Sequence, residues 1–303
     1  MKSERRTGVD GHRGERDGTG TWGQRVFILL LNWNNWKDTN ECLNSLERLD
    51  YDQWEVIVVD NGSSDGSVER IREEFPEVEI IQLKANLGFS AGNNAGIKVA
   101  LERGAEYVWL LNNDTTVSPK ALKAMVEKAE ADHQIGAVGS TIYYANSPER
   151  LQAWGGGHVN FWLGRSRHFQ VPVADREIQF LTGASILLRA STVKTLGLWD
   201  EDYFLYWEDA DYCFRLRNAG WRLGVAGDSK VWHKAQASVG KNSQLLDMHF
   251  NRSAARFFAK HSPIPIFSTW AGIGLRIGKR VIAGDWERAR AVWTGVKRAD
   301  IKA

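Results

Sequence analysis

Residues 108–119 read VWLLNNDTTVSP. Four apolar residues, shaped like the last buried turns of a parallel strand, run directly into Asn112, Asn113 and Asp114. Two amides and a carboxylate are costly inside a core and useful at its exit, where a strand can present polar atoms to a ligand. The same phrasing recurs upstream. VFILLLN from Val26, WEVIVVD ending at Asp60 and VEIIQL ending at Leu83 are short apolar runs. Helical stretches over about 36–49, 67–75 and 89–103 separate them, and Ser118-Pro119 reads as the N-cap and first position of a further helix. Continuous apolar strands alternating with helices predict an α/β fold with a mostly parallel sheet covered on both faces and joined by right-handed crossovers.

In open sheets of this kind ligands sit outside the carboxyl ends of the strands. Four polar strand ends then become candidate binding loops: Asn32-Trp33-Asn34, Asp60 to Gly66, Lys84 to Gly88, and Asn112-Asn113-Asp114. Together they suit a polar, phosphate-bearing ligand, with Asn32, Asp60, Asn86, Asn113 and Asp114 as its candidate partners. The chain has neither a G-x-x-x-x-G-K-[ST] loop nor a G-x-G-x-x-G turn after its first strand, which argues against a P-loop hydrolase and a dinucleotide fold. Gly88, Gly92 and Gly96 instead surround Asn93 and Asn94; the small residues serve either close helix packing or close approach to a nucleotide, with Asn93 a further candidate.

Composition bounds the alternatives. The 303 residues are 43% hydrophobic and 25% charged with a net charge of +2, which describes an ordinary globular chain and gives no global reason to bind nucleic acid. Two cysteines, Cys42 and Cys213, cannot build a disulfide framework. No apolar run reaches the roughly 18 residues of a membrane span, and the N-terminus lacks the apolar core of a secretory signal. The expected location is the cytoplasm. Residues 1–24, rich in glycine and charge, read as a disordered tail.

The second half supplies a carboxylate pair. Glu208 to Asn218 forms a helical pattern closed by Gly220, and Asp209 shares its apolar face with Tyr212, Cys213 and Leu216. Asp211 and Arg215 stand one turn apart and can pair. A carboxylate in the first turn of an inward face is partly withdrawn from water, which suits a general base for an alcohol. Helix-end charge complementarity would account for Glu208 and Asp211 but poorly for Asp209. His233 follows Val231-Trp232 at another strand end, and beside Asp114 it would complete a mixed oxygen and nitrogen site for Mg or Mn.

The series NWN, VVDNGSSDGS, NLGFSAGNNAGI, LLNNDT, TGASILLR, GLWDEDYFLYWEDADYCFRLRNAGW and VWH resembles, in this order over about residues 26–260, the inverting glycosyltransferases of family 2. The rhamnosyltransferase-like subgroup is the nearest match. The resemblance implies the GT-A nucleotide-diphospho-sugar transferase fold, with a donor such as dTDP-rhamnose and a glycan or lipid-linked acceptor in cell-surface polysaccharide assembly. It further implies Asp60 on the nucleobase or ribose and Asp114 on the cation that binds the diphosphate. Asp209 of the Glu208-Asp209 pair becomes the base, His233 a further ligand, and Thr182-Gly183-Ala184 the lining of the sugar pocket. Where many relatives carry Asp, this chain has Asn112, which weakens the bare cation site. A nucleotidyltransferase would want a basic, glycine-rich loop after the first strand, and NWNNWKDT is not one. The alternative from a different class is an inactive nucleotide-sugar-binding module, which would bind donor and be indifferent to Asp209→Asn.

Of fourteen tryptophans, Trp154, Trp162, Trp199 and Trp207 fall where an acceptor would bind; one or two of them, Trp207 included, are expected to face a sugar. Residues 155–168, GGGHVNFWLGRSRH, read as a mobile loop. The expected organisation is a catalytic domain over 25–262, with a nucleotide-binding half over 25–117 and an acceptor half over 118–262. A basic amphipathic helical extension over 263–303 then lies on an anionic inner membrane surface, on the catalytic domain or on a twin subunit.

Overall fold

The computed structural model describes residues 23–234, 244–297 and 299. The N-terminal tail expected over 1–24 lies, except for its last two residues, outside the described residues. Strands β1 (Val26–Asn32), β2 (Trp54–Asp60), β3 (Glu79–Gln82) and β4 (Tyr107–Asn112) alternate with helices α1 (Trp36–Leu46), α2 (Ser67–Glu74) and α3 (Phe89–Glu102). All four strands are parallel, in the order β3-β2-β1-β4. Helices cover both faces, which is why these strands read as unbroken apolar runs. Leu29, Val59 and Leu110 meet Ile97 and Ala100 of α3 on one side, while Ile28, Leu30 and Trp109 meet Cys42 and Leu43 of α1 on the other.

Register places the polar strand ends together. Asn32 pairs with Asp60, Asp60 with Gln82, and Leu31 with Asn112. The remaining elements are β5 (Thr115–Val117), α4 (Ala121–Glu130), β6 (Ile135–Tyr144), β7 (Ser147–Trp154), β8 (Gly156–Asn160) and β9 (Arg165–His168). After these come β10 (Phe180–Leu181), β11 (Ser185–Arg189), α5 (Ala190–Leu196), α6 (Glu208–Asn218) and β12 (Arg222–His233). They extend the sheet as β4-β11-β6-β12-β5, with β11 antiparallel to both its neighbours and β7 on β6.

Two expectations change. Ser118 and Pro119 form a turn ahead of α4 instead of opening it: Ser118 O accepts the Ala121 N–H at 2.9 Å, and Pro119 O accepts the Asp50 N–H at 2.8 Å. Residues 155–168 are not a mobile loop but the antiparallel hairpin β8–β9. A Cβ on Gly156 would stand 1.8 Å from Phe180 O, and one on Gly157 would stand 2.0 Å from Arg167 O, so these glycines permit close strand approach rather than freedom. The chain after residue 243 forms three helices, α7 (Gln244–His261), α8 (Pro265–Ile282) and α9 (Trp286–Lys297), the last two within the stretch expected to be helical. Several of its bases turn inward, Arg280 and Arg288 onto Asp247 and Arg276 onto Asn251.

Candidate active site

The strand ends of β1, β2 and β4 are joined by a buried polar chain. Asn32 Nδ2 donates to Asp60 Oδ2 at 2.8 Å, Thr39 Oγ1 donates to Asn32 Oδ1 at 2.9 Å, and Asn113 Nδ2 donates to Thr39 Oγ1 at 2.9 Å. Asp60 is fully buried, and its other oxygen accepts the Ser63 N–H at 3.0 Å, so its carboxylate folds the loop that follows β2. Gly62 in that loop has φ +75°, and a Cβ there would stand 2.5 Å from Ala85 Cα; only glycine lets the β2 and β3 loops meet. A shallow cleft of about 380 Å³ opens beside this contact, lined by Gly62, Ser63, Gln82, Leu83 and Lys84.

Asn86 shapes the next loop. Its Oδ1 accepts from Asn61 Nδ2 at 3.0 Å and from Gly88 N at 2.9 Å, while Asn61 Oδ1 accepts the Leu87 N–H. Asn61 was not singled out in the sequence: a strand-end Asn beside an Asp carries no spacing that marks it as a clamp on a loop 25 residues away. Asn93 is buried in α3, with its amide donated to Phe89 O at 2.9 Å, which places it in the helix wall. Gly92 and Gly96 serve packing, since a Cβ on either would meet Leu31 or Leu29 of β1 at 3.0 Å or less.

β11 carries the second half to the same edge. Asn112 N donates to Ala184 O at 3.0 Å, and Gly183 N donates to Asp209 Oδ2 at 2.9 Å. Two hydrogen bonds thus connect the start of α6 to the segment that ends in Asp114. Thr182 Oγ1, at 3.5 Å from Ala184 N, closes the same turn. Glu208 is more deeply buried than Asp209, and its Oε2 has no partner. Burial, and then the adjacent Asp209 charge, raises the Glu208 carboxyl well above the usual carboxylate range. Burial also raises Asp209, opposed by the N–H groups of Gly183 and Ala210. Of the two neighbouring carboxyls it is Asp209 whose charged form backbone N–H groups favour, while Glu208 Oε2 meets none.

The charge of α6 is distributed otherwise than helix-end complementarity supposes. Asp211 is the most buried of its three acids and pairs with Arg215 at 2.9 Å, the expected one-turn contact. Trp207 is not a sugar platform: its ring packs among Phe250, Phe257 and Phe258, leaving 4% exposed. Trp199 is likewise core, while Trp162 is exposed far along β8–β9. Tyr206 and Trp207 both have φ +69°, a strained pair directly ahead of Glu208 and Asp209.

Asp114 Oδ1 and His233 Nε2 stand 3.2 Å apart. His233 Nδ1 stands 3.0 Å from Gln152 Oε1 and Nε2 stands 3.4 Å from the Asn112 amide nitrogen; in the tautomer that donates Nδ1–H to Gln152, Nε2 presents a lone pair. A lone pair facing a carboxylate oxygen is an arrangement that a cation satisfies. Two ligands at right angles on an octahedral Mg²⁺ stand about 3 Å apart, which matches. Among the described residues no third His, Cys, Asp or Glu joins them. These two residues fit a divalent cation whose other positions are filled by ligand and water oxygens.

Residues 27–197 match the family model described as "Glycosyl transferase family 2". The chain belongs to glycosyltransferase family 2. This glycosyltransferase is 28% identical over 231 residues to the N-acetylglucosaminyl-diphospho-decaprenol L-rhamnosyltransferase of Mycobacterium tuberculosis, a match covering 68% of this chain and 75% of that one. Its fold is that of the mannosyltransferase PcManGT from Pyrobaculum calidifontis in complex with GDP-Man and Mn²⁺, with a TM-score of 0.58 and 18% identity over 93% of this chain and 82% of that one. It is shared too with residues 1–349 of TarS from S. aureus in complex with UDP-GlcNAc, with a TM-score of 0.57 and 18% identity over 90% and 79%. The GT-A architecture expected for this glycosyltransferase is therefore the one observed.

Proposed function

We propose that this glycosyltransferase moves a sugar from a nucleoside diphosphate, with dTDP-rhamnose the leading donor, to a hydroxyl of a lipid-linked glycan, inverting the anomeric carbon. The observation that carries the reading is the bridge from Asp209 through Gly183 and Ala184 to Asn112, which sets a carboxylate base beside the segment bearing Asp114. The mycobacterial rhamnosyltransferase supports the sugar and the lipid-linked acceptor.

In this reading the nucleoside lies along the loops after β2 and β3, whose shape Asn32, Asp60 and Asn86 maintain. Asp114 and His233 would hold a divalent cation, Mg²⁺ or Mn²⁺, which when bound neutralises charge on the diphosphate. Asp209 Oδ atoms face the Thr182-Gly183-Ala184 turn and take the proton of the acceptor hydroxyl as its oxygen attacks the anomeric carbon. The diphosphate leaves from the opposite side with the bonding electron pair. Glu208 retains its proton and keeps the single charge on Asp209. One displacement inverts the centre, and no covalent enzyme intermediate forms.

The test is Asp209→Asn, assayed with dTDP-rhamnose and a prenyl-diphosphate-linked acceptor. Turnover falls by roughly 10²–10⁴-fold with donor affinity retained. Unchanged turnover in the variant would take the base role from Asp209, and donor binding without any turnover in the parent chain would point to a binding module.

A further inference from the structure

Helix α8 is inside out. Its inward residues are small or polar apart from Ile273: Ser268, Thr269 and Gly272 are buried with it, Arg276 reaches Gly164 O at 2.9 Å, and Arg280 binds Asp247. On a 3.6-residue turn its bulky apolar residues Ile266, Phe267, Trp270, Leu275 and Ile282 fall on the opposite half. They are solvent-exposed, Ile266 by 77% and Ile282 by 89%. Ordinary surface helices do the reverse. Tryptophans extend the patch at both ends, with Trp293 of α9 against Trp270 at 5.9 Å and Trp162, from the β8–β9 tip, against Phe267 at 5.7 Å.

We infer that this face docks on an anionic lipid bilayer. The apolar half of α8 is of a kind that large monomer surfaces rarely leave to water, and exposed tryptophans beside aliphatic residues are the composition of the membrane interface. Charge complementarity decides between lipid and protein. α8 contains no acidic residue, and the exposed charges of α8 and α9 are Lys279, Arg290 and Lys297 against Glu287 alone. The bases suit anionic headgroups while the apolar half enters the acyl boundary.

The location also fits. β8 begins at Gly156, just after Gly155 O accepts the Thr182 N–H, and ends at Asn160 beside the patch. Its five residues span about 13 Å, so the docking face lies one short strand from the Thr182-Gly183 turn and Asp209. An apolar cleft of about 480 Å³, lined by Val159, Phe161, Trp162, Pro263 and Ile264, lies along that route. A bilayer seated on α8 would present a lipid-linked hydroxyl toward the turn; this consequence rests on the transferase reading, while the docking itself does not.

Flotation of the full chain with vesicles tests it. The chain floats with vesicles of equal parts phosphatidylcholine and phosphatidylglycerol and is released by high salt. Phe267→Glu with Trp270→Glu, both at exposed positions and so leaving the melting temperature unchanged, lowers vesicle binding roughly tenfold or more. Three results overturn the inference: no flotation of the parent chain, flotation undiminished in the variant, or a dimer in sedimentation that the variant dissolves, which would give the face to a second copy. Flotation needs no sugar transfer, so its failure and that of the transferase reading are separable.

Discussion

His261 Nε2 lies 2.8 Å from Asp211 Oδ1, and through that contact α7 grips α6 two residues beyond Asp209. Lys260 joins on the same oxygen at 2.8 Å, and Arg215 takes the other. Aligning Asp209 thus depends on packing that lies wholly behind it, in a buried ionic cluster that reaches into the C-terminal helices.

That cluster makes stability acid-sensitive. Burial alone would push the Asp211 carboxyl up, but hydrogen bonds from His261 and Lys260 outweigh it and hold it at about 2, below its ordinary 3.8. A depressed carboxyl stabilises fully above its unfolded value and loses that contribution as pH falls through its folded one. The loss between pH 3.8 and 2 is roughly 2.4 kcal/mol. Asp211→Asn removes the carboxylate that Arg215 and Lys260 share and costs about 3–5 kcal/mol at neutral pH. Urea unfolding of both chains across pH measures each effect.

Glu208 gives the opposite sign. Its raised carboxyl leaves stability undiminished below the unfolded value, and stability is lost as pH rises from there through the folded value. Glu208→Gln, isosteric with the protonated form, therefore melts a few degrees above the parent chain at alkaline pH and alongside it in acid. Thermal scans at two pH values decide this. Turnover of the variant stays within a few fold, because the charge belongs to Asp209.

Gly183 separates backbone from side-chain roles. A Cβ there meets Phe89, Asp209 and nothing nearer than 3.5 Å, so Gly183→Ala folds and turns over normally. Gly183→Pro removes the N–H that stabilises ionised Asp209. Its carboxyl, already raised by burial, rises further, and the acid limb of the kcat/KM profile moves to higher pH. An unmoved limb would separate the limb from Asp209.

The cysteines are inert. Burial pushes the Cys42 and Cys213 thiols up to about 12, so neither carries thiolate near neutrality. In native buffer at pH 8 neither reacts with a disulfide reagent on the time scale of minutes, whereas both do in denaturant.

Legibility in the sequence followed the physics of each element. β1, β2 and β4 were legible because burial on both faces forces unbroken apolar runs, and the helix over Glu208–Asn218 because its period and closing glycine agree. Asp114 with His233 could be suspected from residue type and the Thr182 turn from the family resemblance, yet which backbone N–H meets which carboxylate is a matter of register. Thr39, Asn61 and Gln152 escaped notice because a single polar residue on a helix or strand carries no period. Trp207 misled for a different reason: an aromatic beside a carboxylate pair suits a sugar as well as it suits Phe250 and Phe257, and only packing distinguishes them. The hairpin glycines read as freedom when they mark strands pressed together.

Asn112 offers the sharpest test of the cation site. Its amide lies 3.4 Å from His233 Nε2, within reach of any ion between that nitrogen and Asp114. In the proposed site one carboxylate and one imidazole would hold Mn²⁺ weakly, with donor diphosphate oxygens supplying the missing ligands. Asn112→Asp adds a hard anionic ligand at that place, so Mn²⁺ affinity measured calorimetrically without donor increases roughly tenfold. The same substitution removes the donor that meets Nε2 and places two carboxylates side by side, so the metal-free variant melts below the parent chain and recovers when Mn²⁺ is added. Mn²⁺ affinity unchanged from the parent would move the cation away from Asp114 and His233, while leaving the bridge from Gly183 to Asp209 untouched.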